Sequence, residues 1–472
     1  MQQRVDFHSR IEQALGNPQL KASLRSAMDG LMANRKACFP DADALEALRL
    51  RGAQIRANAL SKLPQLLLQL EQRCTQNGIR VHWAESVDEA NGIVLGIMRE
   101  HQAELLIKGK SMVSEEMDLN RFLEAQGIEC LESDLGEYIL QLAGEPPSHI
   151  VAPAIHKTRQ DIARLFKEKF PDIPYSDDVD TLTRNARGIL RKKFYAASAG
   201  LSGVNFAVAE SGTLCLVENE GNGRMCTTVP PVHIAVTGIE KVVEKLAHVP
   251  PLLKLLTRSA TGQHITTYFN MISGPRRTGE KDGPKEVHLV LLDNGRSRIY
   301  EDNELVNTLR CIRCGACMNH CPIYTRIGGH AYGTTIPGPI GSILEPQKAG
   351  LDNLGELPVA STLCSACAEV CPVRIPIPTL LNRLRYERIR SDHDGATHGQ
   401  GSGRTRKETA IWKAWSWLHR SPVRYRLALT LATRLRKILP LGLGPWTRVR
   451  KPPRIAAKNL HRRAREEGFN DR

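Results

Sequence analysis

A chain of 472 residues is too long for one core of ordinary size, and a prior of roughly one domain per ~150 residues points to two or three. No run approaches the ~18 apolar residues that span a bilayer, and the opening MQQRVDFHSRIEQALG lacks the apolar stretch of a secretory signal, so a cytoplasmic protein is expected. The formal net charge is +15, but from residue 401 onward 19 Lys and Arg face 4 Asp and Glu, which leaves 46 against 46 before that point. Charge so localised indicates an arm or docking surface and argues against a nucleic-acid-binding core.

Residues 1–70 read as an N-terminal helical segment. Asp41 is placed to cap a run with apolar positions at Leu45, Leu48 and Ile55, and Leu66, Leu67, Leu68 and Leu70 continue after Pro64 to a stop at Asn77-Gly78. From 71 to 295 the pattern alternates. Strands are expected over 81–83, 105–107, 149–152, 205–209, 214–217, 232–236 and 287–291, with helices over 116–125 and 158–170 and a capping box in Ser86-Val87-Asp88-Glu89. Strands separated by helices argue for an α/β domain with a largely parallel sheet.

Two stretches in this domain are unusually polar and glycine-rich: 108–116, with Lys110, Ser111 and Glu116, and 209–223, with Glu210, Gly212, Thr213 and Asn219. Loops after parallel strands hold ligands, so a small carboxylate or phosphate site is one reading. The other is a solvated loop at Lys110, a helix cap at Ser111 and a turn over 218–223. The two weigh nearly evenly. Neither a dinucleotide fingerprint nor a phosphate-binding loop motif is present.

After residue 300 the character changes. Cys311, Cys314, Cys317, Cys321 and Pro322 have the C-x2-C-x2-C-x3-C-P spacing of bacterial iron–sulfur proteins. Cys364, Cys367, Cys371 and Pro372 repeat the last three cysteines and the proline, and Ser361 stands where the first would be. Zinc also takes thiolates, but two C-x2-C pairs would leave Cys317 or Cys321 idle and would not account for the prolines. In two-cluster proteins of this kind the fourth cysteine of each run ligates the other cluster. That rule assigns Cys311, Cys314, Cys317 and Cys371 to cluster 1, and Cys321, Cys364 and Cys367 to cluster 2. The fourth position of cluster 2 is open to Ser361, another residue or solvent, or is absent in a [3Fe-4S] form; a [4Fe-4S] centre with a non-cysteine ligand is preferred. The single cysteines at 38, 74, 130, 215 and 226 read as small buried hydrophobes.

Residues 391–403 have the composition of a flexible linker. In the basic tail over 404–472, Trp412, Trp415 and Trp417 precede a stripe of Leu427, Leu431, Leu435 and Ile438. A helix lying on anionic lipid is one reading. A helix packed on protein is the favoured one, because amphipathic helices are common in soluble proteins.

Together, segments 108–116 and 205–223, the loop 332–341 and the two cysteine runs resemble the lactate utilisation protein B family, the iron–sulfur subunit of a three-protein bacterial system that oxidises L-lactate to pyruvate. The resemblance spans nearly the whole chain. For 71–295 it implies a lactate-utilisation α/β domain with a fold similar to CoA transferases and ribose-phosphate isomerases. For 300–390 it implies an α-helical dicluster ferredoxin-like module, followed by a helical basic tail. It further implies two iron–sulfur clusters, a role in electron transport and partner subunits of a lactate-oxidising complex; the tail, read as an interfacial helix, adds the options of an acceptor such as a membrane quinone-linked carrier and of contact at the inner face of the membrane. The family also has three cysteines in its second run. Two rivals stand beside this expectation. The α/β domain could itself oxidise a hydroxy acid bound through Lys110 and Glu210, or the chain could serve glycolate or glycerol 3-phosphate oxidation. An assembly scaffold with structural clusters is a third, weaker one.

Overall fold

The N-terminal helices begin where side chains can satisfy their free amides. Asn17 accepts from Leu20 N at 3.0 Å ahead of α2 (Pro18–Cys38), and Asp41 accepts from Ala44 N at 3.0 Å ahead of α3 (Ala42–Ser61). With α1 (Phe7–Leu15) and α4 (Leu63–Gln76) they form the expected helical segment, and the chain leaves α4 through Gly78 at φ +86°. The computed structural model describes residues 6–391, 406–437 and 454–469, divided into two units, 1–388 and 389–472.

In the first unit, β1 (Ile79–Ala84) leads into α5 (Val87–Glu100). Ser86 caps Glu89 N at 3.2 Å, but the Glu89 carboxylate turns to Glu85 N at 2.7 Å, so only half of the expected capping box forms. The remaining strands are β2 (Leu105–Lys108), β3 (Glu129–Glu132), β4 (Ala199–Gly203), β5 (Phe206–Val208), β6 (Thr213–Glu218), β7 (Val232–Gly238), β8 (Val242–Val243), β9 (Tyr268–Ile272) and β10 (Glu286–Leu292). Six of them form a parallel sheet in the order β1-β10-β7-β4-β2-β3. Its central strands are mostly apolar and almost wholly buried, because both faces are covered. On β10, Val287, Leu289 and Leu291 face the core shared with the N-terminal helices, while Val290 and Leu292 face the core under α5.

Four structural features depart from the sequence expectations. The stretches over 205–209 and 214–217 lie in a second sheet, β8-β5-β6-β9, as a hairpin closed at Gly212 (φ +68°). An apolar run does not distinguish this pairing from a parallel one. The stretch 149–152 is a loop, because His149 Nδ1 accepts from both Val151 N and Ala152 N at 3.1 Å and curls the chain away from extended geometry. The helix expected over 116–125 is two, Met112–Glu116 and Leu119–Glu124, broken at Asp118 with φ +49°. Finally, the packing does not break near residues 70 or 300. One core joins the N-terminal helices, the second sheet and the cysteine-bearing segment.

The second unit contains helices Arg406–His419, Pro422–Arg434 and Leu460–Glu466. Trp412, Trp415, Trp417, Leu427, Leu431 and Leu435 are exposed. The linker positions 392–403 and Ile438 lie outside the described residues. Among the described residues no helix is long and apolar enough to cross a membrane.

Candidate metal centre and adjoining cavity

The two cysteine runs adopt the same backbone course fifty positions apart. Arg313 (φ +60°) and Gly315 (φ +74°) flank Cys314 in left-handed conformation, and Leu363 (φ +55°) and Ser365 (φ +67°) flank Cys364 in the same way. Each pair leads into a single helical turn, Ala316–Asn319 or Ala366–Glu369. The amide–sulfur bonds repeat as well. Arg313 N donates to Cys311 Sγ at 3.3 Å, Tyr324 N to Cys321 Sγ at 3.5 Å and Ile375 N to Cys371 Sγ at 3.3 Å. At the position equivalent to Cys311, Leu363 N donates to Ser361 Oγ at 3.2 Å. Ser361 therefore holds its oxygen in the local arrangement in which Cys311 holds its sulfur.

Cys311, Cys314, Cys317 and Cys371 line one cavity, whose other walls are mostly apolar: Ile150, Ile312, Ile340, Val373, Ile375 and Ile377. Cys321, Cys364 and Cys367 form a second group, in which Cys364 lies close enough to raise the pKa of the thiols of Cys321 and Cys367. Burial is the main reason that the thiol of Cys367 is pushed up to about 12, that of Cys371 to about 11, and that of Cys317 well above its ordinary value. Converging buried thiols of this kind become thiolates only beside a strong positive charge, which iron supplies. The donor set, the apolar walls and the amide donors all fit iron–sulfur clusters.

Residues far away in sequence hold this segment in place. Arg49 of α3 donates to the carbonyls of Cys371 and Ala368, each at 3.0 Å, and Arg35 of α2 to that of Val370 at 3.3 Å. Arg56, fully buried, donates to the carbonyls of Val242 at 2.8 Å, Leu309 at 3.0 Å, Arg310 at 3.3 Å and Glu240. The loop carrying His149 closes over the first run. His149 Nε2 meets Asn319 Oδ1 at 3.0 Å, and burial lowers its pKa to about 4, so the ring is neutral and donates. Tyr324 Oη donates to Ser148 O at 2.7 Å, and a Cβ on Gly329 would fall 1.8 Å from that same oxygen. The buried Tyr332 hydroxyl stands near Cys321, where it favours the thiolate form of that sulfur.

A cavity of about 300 Å³ adjoins the first run, at the carboxyl ends of the parallel strands. Lys110, Ser111, Glu116 and Asn219 line it, together with Lys241 and Arg313. All four of these sequence candidates are already engaged. Ser111 caps Ser114 N at 3.2 Å, Asn219 accepts from Thr267 N at 3.0 Å, and Glu116 pairs with Arg296 at 2.9 Å and Lys348 at 3.0 Å. Lys110 Nζ donates to Val151 O at 2.7 Å. Glu210, Gly212 and Thr213 do not line this cavity. They lie at the β5–β6 turn against α4, where Glu210 accepts from Leu246 N at 3.0 Å and Thr213 bonds Ser273 at 3.0 Å. A hydroxy acid held between Lys110 and Glu210 is therefore not supported.

Lys241 and Arg313 were not singled out by sequence. Burial, reinforced by Arg313, lowers the Lys241 pKa to about 7, and its Nζ reaches Cys311 O at 3.5 Å. The available signal was a charged pair, Glu240-Lys241, directly after an apolar parallel strand. Glu240 pairs with Arg296 at 2.6 Å and Arg313 at 3.5 Å.

The chain matches three family models: LUD domain over 67–292, 4Fe-4S dicluster domain over 307–375, and Lactate utilisation protein B, C-terminal, over 383–469. It is 39% identical over 458 residues to Lactate utilization protein B of Bacillus velezensis, covering 95% of this chain and 94% of that one. It is 42% identical over 387 residues to Lactate utilization protein B of Bacillus subtilis, covering 82% and 80%. To the uncharacterized electron transport protein YkgF of Escherichia coli it is 44% identical over 392 residues, covering 82% and 81%.

Proposed function

The chain belongs to the lactate utilization protein B family, and on that premise we propose that it is an iron–sulfur electron carrier in the oxidation of L-lactate to pyruvate. The observation that carries this reading is the repeated geometry of the two cysteine runs, which gathers seven thiols into two groups. Cys311, Cys314, Cys317 and Cys371 hold cluster 1, and Cys321, Cys364 and Cys367 hold cluster 2. Clusters bound there supply one-electron transfer. The chain's own contribution is to exclude water from cluster 1 with apolar walls, to fix the thiols through amide donors, and to anchor the second run and the residues just before the first from α2 and α3 by arginine–carbonyl bonds.

We assign the fourth position of cluster 2 to Ser361 in a [4Fe-4S] centre, supported by the equivalence of Leu363 N to Ser361 Oγ with Arg313 N to Cys311 Sγ. EPR of the oxidised, cluster-loaded protein tests this. The wild type should lack the signal of a three-iron cluster, and Ser361→Ala should acquire it. A strong three-iron signal in the wild type contradicts the assignment.

Three finer points belong to the same proposal. The α/β portion over 71–295 has a fold similar to CoA transferases and ribose-phosphate isomerases, a reading supported by its parallel, helix-covered sheet. It is followed by the cluster module over 300–390 and the tail over 404–472. Partner subunits supply lactate chemistry, and a quinone-linked carrier takes the electrons. The exposed tryptophans and the arginines of the tail provide a surface for such contacts. Vesicle co-sedimentation separates protein partners from lipid. Binding to anionic vesicles that is lost on replacing Trp412, Trp415 and Trp417 by Ala would place the lipid surface first, and absence of binding would leave a protein partner. Deletion of the gene with growth on lactate, glycolate or glycerol 3-phosphate tests the substrate, and a defect confined to lactate is expected.

A further inference from the structure

The cysteines and the cavity lie toward the carboxyl ends of the parallel strands. At the amino ends of β1 and β10 a different set of side chains converges. Glu286 and His288, two positions apart on β10, point to one face. That is the face α5 covers, and His101 follows the last residue of that helix. His101 Nε2 lies 3.6 Å and His288 Nε2 3.8 Å from the same oxygen, Glu286 Oε2, and the three atoms are within 4.8 Å of one another.

None of these three atoms has a hydrogen-bond partner among the described residues, although all are screened from solvent. Buried polar atoms are ordinarily paired, so two imidazole nitrogens without a hydrogen bond, converging on one carboxylate oxygen, call for a physical cause. Arg80 Nη1 stands 3.2 Å from Glu286 Oε2, but this half-exposed guanidinium is shared with Glu100 at 3.3 Å. It balances carboxylate charge and leaves the two imidazole nitrogens without a hydrogen bond.

We propose that His101, Glu286 and His288 bind one divalent transition-metal ion of the zinc class. Imidazole nitrogen and carboxylate oxygen are the donors such an ion takes, and donors about 2.0–2.1 Å from a tetrahedral ion are about 3.3 Å apart, near the two separations found here. The surroundings fit as well. His82 Nε2 lies 3.0 Å from His288 Nδ1, with the two rings stacked at 5.3 Å. When His288 Nε2 ligates, its Nδ1–H donates to His82, the outer-shell bond that ligating histidines commonly make. The side chains of His101 and Glu286 are 22% and 33% exposed, which leaves the fourth position open to water or to a group from a partner.

The test uses full-length, cluster-loaded protein equilibrated with Zn²⁺ under anaerobic conditions, with zinc and iron counted per chain. The wild type should retain about one zinc ion. His101→Ala and Glu286→Gln, both at partly exposed positions, should retain none while their iron is unchanged, which shows that they are folded and that the cysteine runs are not the zinc site. His82→Phe should weaken zinc by about 10–100-fold. X-ray absorption at the zinc edge should show nitrogen and oxygen neighbours without sulfur. No retained zinc in the wild type, equal zinc in the wild type and both ligand variants, or sulfur in the zinc shell overturns the proposal.

Discussion

Tyr332 is buried, and its hydroxyl favours the thiolate form of Cys321, a ligand of cluster 2 in the proposed assignment. A donor on a ligating sulfur favours the reduced, more negative form of a cluster and so raises its potential. Tyr332→Phe should lower the midpoint of cluster 2, on the order of tens of mV, and leave cluster 1 unmoved. Equal potentials in both proteins would reduce the hydroxyl to a packing group. At this scale the thiols were legible in sequence because cluster ligation imposes a spacing. Arg56 was not, because its partners are carbonyls 184 to 254 positions away and no local pattern marks them. Lys110 and Glu210 looked alike on the page, each in a polar loop, and only the turn between β5 and β6 separates them.

Between elements, a buried charge network of Arg296, Glu116, Glu240 and Lys348 ties the segment after β10 to the helix Gly338–Ala349 of the cysteine-bearing segment. Arg296→Met leaves two buried carboxylates short of a partner and should cost about 3–5 kcal/mol, read as a lower thermal midpoint. Burial pushes the Glu240 carboxyl up, but Arg296, Lys241 and Arg313 outweigh it and hold it at about 2. Its stabilising contribution is complete above the ordinary value of 4.5 and is lost as pH falls toward 2. Wild-type stability should therefore decline more steeply than that of Glu240→Gln between about pH 5 and about pH 3. Parallel slopes would show that Glu240 is not the titrating group. The loop at 149–152 shows why element type was not always legible. His-Ile-Val-Ala has the composition of a strand, but the imidazole captures two backbone amides and closes a loop instead.

For the whole molecule, the α/β class and the cysteine module followed from periodicity and spacing, while their union did not. The N-terminal helices do not stand apart as a segment. Their apolar faces share a core with the cluster region, and their arginines hold its carbonyls. This long-range packing leaves no signature in a window of a dozen residues. It has a functional consequence, since a cluster carrier must keep its ligands fixed through changes of charge, and here α2 and α3 provide that rigidity. The most direct test of the electron-carrier role is growth on L-lactate of a deletion strain carrying only the Cys314→Ser protein at its normal level. The proposed role predicts no growth on lactate with unimpaired growth on glucose, whereas wild-type growth on lactate would contradict it.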